Sequence, residues 1–139
     1  MPVACAVPNR AEGAPSLSGR LRVRLTPGSR IATIMQRAEL QEQFFCSYEL
    51  TPDFQAEIDS AGLRVTGVAE NGEARIVELL DHRFFLATAF LPQLSSTAEQ
   101  PHPLIIAFLN AAAEFRAERR PSAAAGVPTT SRSPQRGRG

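Results

Sequence analysis

Lysine and tryptophan are absent from this 139-residue sequence, which holds only one tyrosine and two cysteines. Without lysine, the chain cannot form the glycine-rich loop ending in Gly-Lys that binds ATP phosphates. Cys5 and Cys46 lie far apart, without CxxC spacing or a nearby histidine cluster. This pattern favours separate reduced thiols over a zinc site. We therefore expect no metal and no cofactor.

Long apolar runs are also absent. The longest, residues 84–91 and 104–109, fall far short of the roughly 20 residues that span a bilayer. The first ten residues lack the basic start and apolar region of a secretory signal. We expect no membrane segment and a cytoplasmic location.

Charge is nearly balanced, because 15 basic residues, all arginine, face 14 acidic residues and leave a formal net charge of +1. This balance argues against a dedicated nucleic-acid-binding protein. Arginine is nevertheless concentrated after residue 115, where acidic residues are almost absent. That segment has no aromatic residue for base stacking beyond Phe115 and no RGG repeat, which favours a solvated tail over one that binds RNA, DNA or an acidic protein surface.

Composition divides the chain into three parts. Residues 1–19 mix Pro, Gly, Ala and Ser, which predicts an extended lead-in. Residues 118–139 have too few apolar side chains to offset the entropy of ordering, which predicts a disordered Arg-rich tail. Residues 20–117 are left as one domain, and the 43% apolar content of the chain suffices for a modest core.

Alternating apolar and polar residues predict strands at residues 20–25 and 43–50. Residues 63–69 and 74–80 flank Asn71-Gly72, a pair that suits a type I′ turn and predicts a β-hairpin. Residues 84–90 are apolar almost throughout, as expected of a strand covered on both faces.

Two segments are predicted to be helical. Thr51 and Pro52 are typical of a helix start, and Gly62 of its end. Residues 104–115 have apolar side chains at helical spacing, which predicts an amphipathic helix on a sheet. The expected class is α/β, with a β-hairpin, a buried strand and a C-terminal helix.

Four sequence segments, taken in order, resemble the C-terminal part of the class I glutamine amidotransferase domain of CTP synthase: GRLRVRLTPGS, SYELTPDFQAEIDSAGLRVTGV, VELLDHRFFLATAFLPQL and PHPLIIAFLNAAAEF. The resemblance implies part of a flavodoxin-like domain. The activity it implies is glutamine-hydrolysing CTP synthesis, a step of pyrimidine nucleotide biosynthesis.

The catalytic motif of that family is changed in this chain. The family activates a cysteine nucleophile through the histidine and glutamate of Gln-Phe-His-Pro-Glu-Phe, and the matching segment at residues 89–94 reads AFLPQL. Leu91 cannot accept a proton and Gln93 carries no charge, so we expect no catalytic residue at these positions. A similar Phe-x-Pro-Gln occurs in a group of bacterial proteins related to the CTP synthase C-terminal region, some of which are selenoproteins. This chain resembles that group more than it resembles CTP synthase itself.

Ligand contacts implied by the resemblance are changed as well. The family's arginine before Tyr-Glu helps to hold glutamine, and Ser47 stands in its place. We take Cys46, Ser47, Tyr48 and Glu49 as a candidate ligand-binding region. Cys46 is either a redox-active or substituted catalytic residue or, as we favour, a small buried hydrophobe. No Gly-x-Cys-x-Gly nucleophile elbow occurs in the sequence.

The sequence contains two histidines, and its context suggests a role for each. His82 beside Asp81 suggests an acid–base pair, but a structural role in the turn is favoured. His102, between two prolines, is expected to help start the last helix.

Three functions follow from these observations, in this order. The first is an amidotransferase-like pseudoenzyme that binds a partner or ligand. The second is a glutaminase half-domain that an upstream or partner polypeptide completes. The third is a nucleic-acid-associated protein that uses the Arg-rich tail. Since the resembling domain has further strands and helices upstream, we expect a homodimer or a separately encoded partner that completes the sheet.

The predicted domain boundary can be tested by limited proteolysis with trypsin. Because little beyond residue 117 can be buried, cleavage after Arg119, Arg132 or a later arginine should precede cleavage inside residues 20–117. Mass spectrometry of the first products would show the order. Early cuts inside residues 20–117, with residues 118–139 left intact, would contradict the boundary.

Overall fold

The computed structural model describes residues 4–6, 18–46, 48–50, 54–70 and 72–119. Within these ranges the chain forms β1 (Ala4–Ala6), β2 (Ser18–Leu25), α1 (Arg30–Met35), β3 (Glu39–Phe45), β4 (Tyr48–Leu50), α2 (Gln55–Ser60), β5 (Leu63–Val68), β6 (Ala74–Leu79), β7 (Leu86–Thr88), a 3₁₀ helix (Pro92–Ser95) and α3 (Pro103–Glu118). The tail from residue 120 onward lies outside the described residues, so its predicted disorder stays a prediction.

A five-stranded antiparallel sheet of order β3-β2-β5-β6-β7 forms the centre of the fold, and β1 pairs separately with β4. The predicted strand at residues 20–25 lies within β2, and the predicted hairpin is β5–β6. Gly72 has φ +92°, which fits the turn assigned to it, while Asn71 is outside the described residues. The predicted α/β class, with its hairpin and C-terminal helix, is confirmed.

The sheet curls because the chain after β7 returns to β3 at the opposite end of the strand order. The backbone N–H of Leu91 donates a hydrogen bond of 2.9 Å to the carbonyl oxygen of Gln43. The side-chain amide of Gln43 in turn donates to the carbonyl oxygen of Leu94 at 3.4 Å. The curl encloses a core formed by seven buried side chains: Val23, Leu25, Ile31, Leu40, Ile76, Phe90 and Leu104.

Close packing on the inner face of the sheet requires a glycine in β5. The pairing of β5 with β6 shifts register around Gly67, which lies opposite Ile76. A Cβ atom at Gly67 would lie 2.5 Å from Cδ1 of Ile76 and 2.6 Å from its Cγ1. Both residues are buried. The Ile76 side chain therefore could not move away from an added Cβ without disturbing the core.

Glu78 on β6 joins the sheet to α1. It is 1% exposed, and its carboxylate accepts hydrogen bonds from the backbone N–H groups of Arg30 (3.1 Å) and Ile31 (2.8 Å). The hydroxyl of Thr66 donates to the same carboxylate at 3.0 Å. The Ser29 hydroxyl accepts the next helix N–H, from Ala32, at 3.2 Å. The free donors of the first turn are thus satisfied by side chains, two of them by a distant strand.

Helix α3 begins at a His102 cap and buries only Leu104 fully. Its apolar side chains remain largely exposed, at 40% for Ile106, 55% for Phe108, 54% for Leu109 and 45% for Phe115. The helix predicted at residues 104–115 therefore forms, but its predicted packing on a sheet through an apolar face is wrong for the described residues. Across the described ranges, every helix is too short or too polar to pass through a bilayer.

The end of α3 is attached to the turn before β7. Arg83 donates two hydrogen bonds to the Glu118 carboxylate, one of them 2.9 Å long. This hydrogen bonding lowers the pKa of Glu118 below its ordinary value. The guanidinium groups of Arg83 and Arg119 each lie 5.3 Å from the centre of the Phe115 ring.

Two predicted strands differ from the structure. Residues 43–50 do not form one strand, because β3 ends at Phe45 and β4 belongs to the separate pair with β1. Its partner β1 (Ala4–Ala6) lies in the segment predicted to be an extended lead-in, most of which is outside the described residues. Residues 84–90 form only the short edge strand β7 (Leu86–Thr88), whose Ala87 is exposed. Phe84, Leu86 and Phe90 pack on the core, so only one face is covered.

Helix boundaries also differ from the prediction. The helix predicted from Pro52 begins at Gln55, and residues 51–53 lie outside the described part. Gly62 does follow this helix, with φ +82°. Helix α1 was not predicted from the sequence, because its six residues carry no acidic side chain in the first turn.

Replacing the buried carboxylate tests how far the fold depends on it. We expect Glu78→Ala to lower the free energy of unfolding by about 3 kcal/mol or more, since buried donors lose a charged acceptor, and Glu78→Gln to cost less. Exposed Glu99 offers a control, and Glu99→Ala should change stability by no more than about 0.5 kcal/mol. Urea denaturation measures all three variants. Equal stability of the Glu78→Ala and Glu99→Ala proteins would contradict the assignment.

Candidate functional site

The two positions that match the catalytic histidine and glutamate lie just after β7. Leu91 is half-buried, and its backbone N–H is used in the contact with Gln43 that closes the curl. Gln93 is exposed on the 3₁₀ helix. An alkyl side chain and a neutral amide therefore occupy this corner of the fold, and neither group can take a proton near neutral pH.

Of the candidate ligand-binding residues, Cys46 and Tyr48 line one cavity. Cys46 is half-buried and its Sγ accepts a hydrogen bond of 3.4 Å from the backbone N–H of Tyr48. The Tyr48 side chain is 59% exposed. Ser47 lies outside the described residues, and Glu49 is described only through its backbone in β4, which pairs with Cys5. The sequence thus identified part of the wall of a cavity.

That cavity measures about 440 Å³ and is mostly apolar. Its lining consists of Cys46, Ala89 and residues of β4, α2, β5, β6 and β7: Tyr48, Leu50, Ile58, Leu63, Ala74, Arg75, Ile76, Val77, Ala87 and Thr88. The lining contains no histidine and no carboxylate from the described part of the chain. Among the described lining residues, the Cys46 thiol thus has no general base beside it.

His102 belongs to a buried polar cluster that the sequence did not predict. Its Nε2 lies 3.0 Å from Oε1 of Glu42, and the two side chains are 4% and 6% exposed. Its Nδ1 accepts the backbone N–H of Leu104 at 3.2 Å. Because Nδ1 is an acceptor, Nε2 carries the proton and donates to Glu42. The Ser95 hydroxyl donates to the other carboxylate oxygen at 2.9 Å.

The cluster of Ser95, Glu42 and His102 is structural. The carboxylate lies between the hydroxyl and the imidazole, so the imidazole cannot activate the hydroxyl as a base would in a nucleophilic triad. It fixes the 3₁₀ helix and the start of α3 against β3. The predicted role of His102 in starting the last helix is confirmed. The only sequence signal for it is the Pro-His-Pro before an apolar run.

His82 does not form an acid–base pair with Asp81 in the described structure. Its Nδ1 accepts the backbone N–H of Phe84 at 3.3 Å, and its ring stands edge-on to Phe85 at 6.2 Å. Both contacts shape the turn before β7. Among the described residues, no group of three or more His, Cys, Asp or Glu side chains is placed to hold a metal ion.

No protein-family model matches the chain, but curated relatives do. CTP synthases of Cytophaga hutchinsonii, Phenylobacterium zucineum and Chlamydia trachomatis are 36%, 36% and 31% identical over 92, 111 and 122 residues. The alignments cover 66%, 76% and 85% of this chain but only 17%, 20% and 23% of the relatives. The chain thus spans about a fifth of the length of the curated relatives it matches.

A solved structure supports the same assignment. The glutaminase domain of Trypanosoma brucei CTPS, with bound acivicin, matches with a TM-score of 0.75 and 27% identity. The match covers 81% of this chain and 46% of that chain. Both the sequence and the fold therefore identify this chain as a CTP synthase glutamine amidotransferase-like region.

Proposed function

We propose that this chain is a CTP synthase-related, amidotransferase-like binding or interaction module that does not hydrolyse glutamine by itself. The observation that carries the proposal is the presence of Leu91 and Gln93 where the resembling family has histidine and glutamate. Thiol-dependent glutamine hydrolysis needs a base that takes the thiol proton and a group that orients this base. Neither role can be performed by leucine and a neutral amide.

Other groups in the described structure offer no replacement for the missing base. His102 is buried and bound on both ring nitrogens, by Glu42 and by the N–H of Leu104. His82 lies at the turn before β7, where its Nδ1 takes the N–H of Phe84. Cys46 lines a cavity whose described walls carry no acid and no histidine. This distribution favours a binding role over hydrolysis.

The absence of glutaminase activity can be measured directly. Purified protein incubated with glutamine, with and without ATP and UTP, should release ammonia at least about 10⁴-fold more slowly than an active CTP synthase in the same assay. The double variant Leu91→His/Gln93→Glu should stay inactive, since the Gly-x-Cys-x-Gly elbow is not supplied. Glutamine turnover that a thiol-alkylating reagent abolishes would disprove the proposal.

A second candidate is a glutaminase half-domain that another polypeptide completes. It is favoured by the match to only 46% of the solved glutaminase domain and by the exposed apolar side chains of α3. Exposed apolar surface of this kind is a site for association. Either a second copy of this chain or a separately encoded partner would cover it, and both agree with the proposed interaction module.

Association should depend on the exposed apolar side chains of α3. We expect a complex that buries about 1,200 Å² or more, and Phe108→Glu should weaken it at least about tenfold because the charge would be buried at the contact. Asn110→Glu, which adds the same charge to the same helix, is the matched control. Light scattering at micromolar concentration, with and without candidate partners, measures the change. A compact monomer that binds no apolar dye would contradict the proposal.

A further inference from the structure

The apolar cavity beside Cys46 lies on the outer side of the curled sheet. Side chains alternate along β6, so Ile76 and Glu78 face the core while Arg75 and Val77 face away from it. Val77 lies opposite Ala87 on β7, and both line the cavity. The apolar sequence of residues 84–90 predicted a strand covered on both faces. In the structure, Ala87 on the outer face of β7 is part of the cavity wall.

Arg75 is the only charged residue in the described lining of this cavity. Its Nε is buried and has no hydrogen-bond partner. A buried donor without an acceptor is unfavourable, so a bound acceptor would stabilise this arrangement. The Nε–H and one terminal N–H of a guanidinium point the same way and match the two oxygens of a carboxylate.

Arg75 also lines a separate polar cleft of about 360 Å³. Glu70 and Glu73 line this cleft, and Glu70 lies 3.8 Å from the Nε of Arg22. Neither acidic residue lines the apolar cavity. Since a guanidinium carries five N–H donors, Arg75 can serve the acidic cleft and the apolar cavity at once.

From this geometry we infer that the apolar cavity binds a small amphipathic carboxylate, with the carboxylate on Arg75 and an apolar body of about eight to ten carbons along Val77 and Ala87. The inference deepens the proposed function, because it names the class of ligand for a binding module. Glutamine does not fit this description. Its ammonium and amide groups would be buried against apolar walls without partners.

Calorimetric titration of the full chain with octanoate and with 1-octanol tests the inference. Octanoate should bind at least about tenfold more tightly than octanol, because only octanoate forms charge-assisted hydrogen bonds with Arg75. Arg75→Met should remove that preference while keeping an apolar side chain of similar length. Arg64→Met, at an exposed position on neighbouring β5, is the matched control and should keep it.

Two further measurements locate the apolar body of the ligand. From hexanoate to octanoate, each added methylene should raise affinity about fourfold while the cavity accommodates it. Val77→Phe, or the milder Ala87→Leu at an exposed position, should fill the cavity and weaken octanoate and octanol alike. Circular dichroism shows whether each variant is folded, and the preference of the unchanged chain does not depend on any variant.

Equal affinity for octanoate and octanol would overturn the inference, as would an equal loss in the Arg75→Met and Arg64→Met proteins. These results are separable from the glutaminase assay. A chain that hydrolysed no glutamine and bound no octanoate would remove this inference alone. A chain that bound octanoate and also hydrolysed glutamine would remove the claim of inactivity alone.

Discussion

The fold depends on one buried carboxylate. Glu78, on β6, accepts hydrogen bonds from the first N–H groups of α1 and from the hydroxyl of Thr66. It therefore connects helix α1 to the neighbouring strands β5 and β6. A buried carboxylate is tolerated only when several donors surround it. Each of the three elements therefore fixes where the others can lie, and the side chain of Ile31 is directed into the core as a result.

A second buried carboxylate lies on β3, the edge strand at the start of the strand order. Glu42 on β3 binds His102 and Ser95, which attaches the segment between β7 and α3 to the first strand of the strand order. The polar contacts of Glu42 on the edge strand β3 and of Glu78 on the internal strand β6, together with the apolar core, thus hold the sheet in its curled form. Because Glu42 binds His102, 60 residues away, and Glu78 binds the N–H of Ile31, 47 residues away, the closed form requires long-range contacts that local propensity does not supply.

Local patterns predicted only part of this arrangement. The alternation in β2 and the β5–β6 hairpin each reside in a short stretch, and they appear in the structure. Helix α3 also forms, but the apolar face that its spacing predicted is exposed except at Leu104. Helix α1 could not be predicted, since its two first N–H groups are satisfied from Glu78, about 47 residues away along the chain. The motif comparison located Leu91 and Gln93, but the unpaired donor of Arg75 is a property of three-dimensional packing that periodicity cannot reveal.

The backbone contact at Leu91 has a consequence for how such a chain can change over time. Its N–H closes the curl on Gln43, and every amino acid except proline provides that donor. The backbone of this residue therefore contributes to the fold, whereas its side chain determines whether a base is present at the position. The hydrogen bond that closes the curl is therefore available whether this position carries an imidazole or an alkyl group, and the side chain can vary without removing that contact.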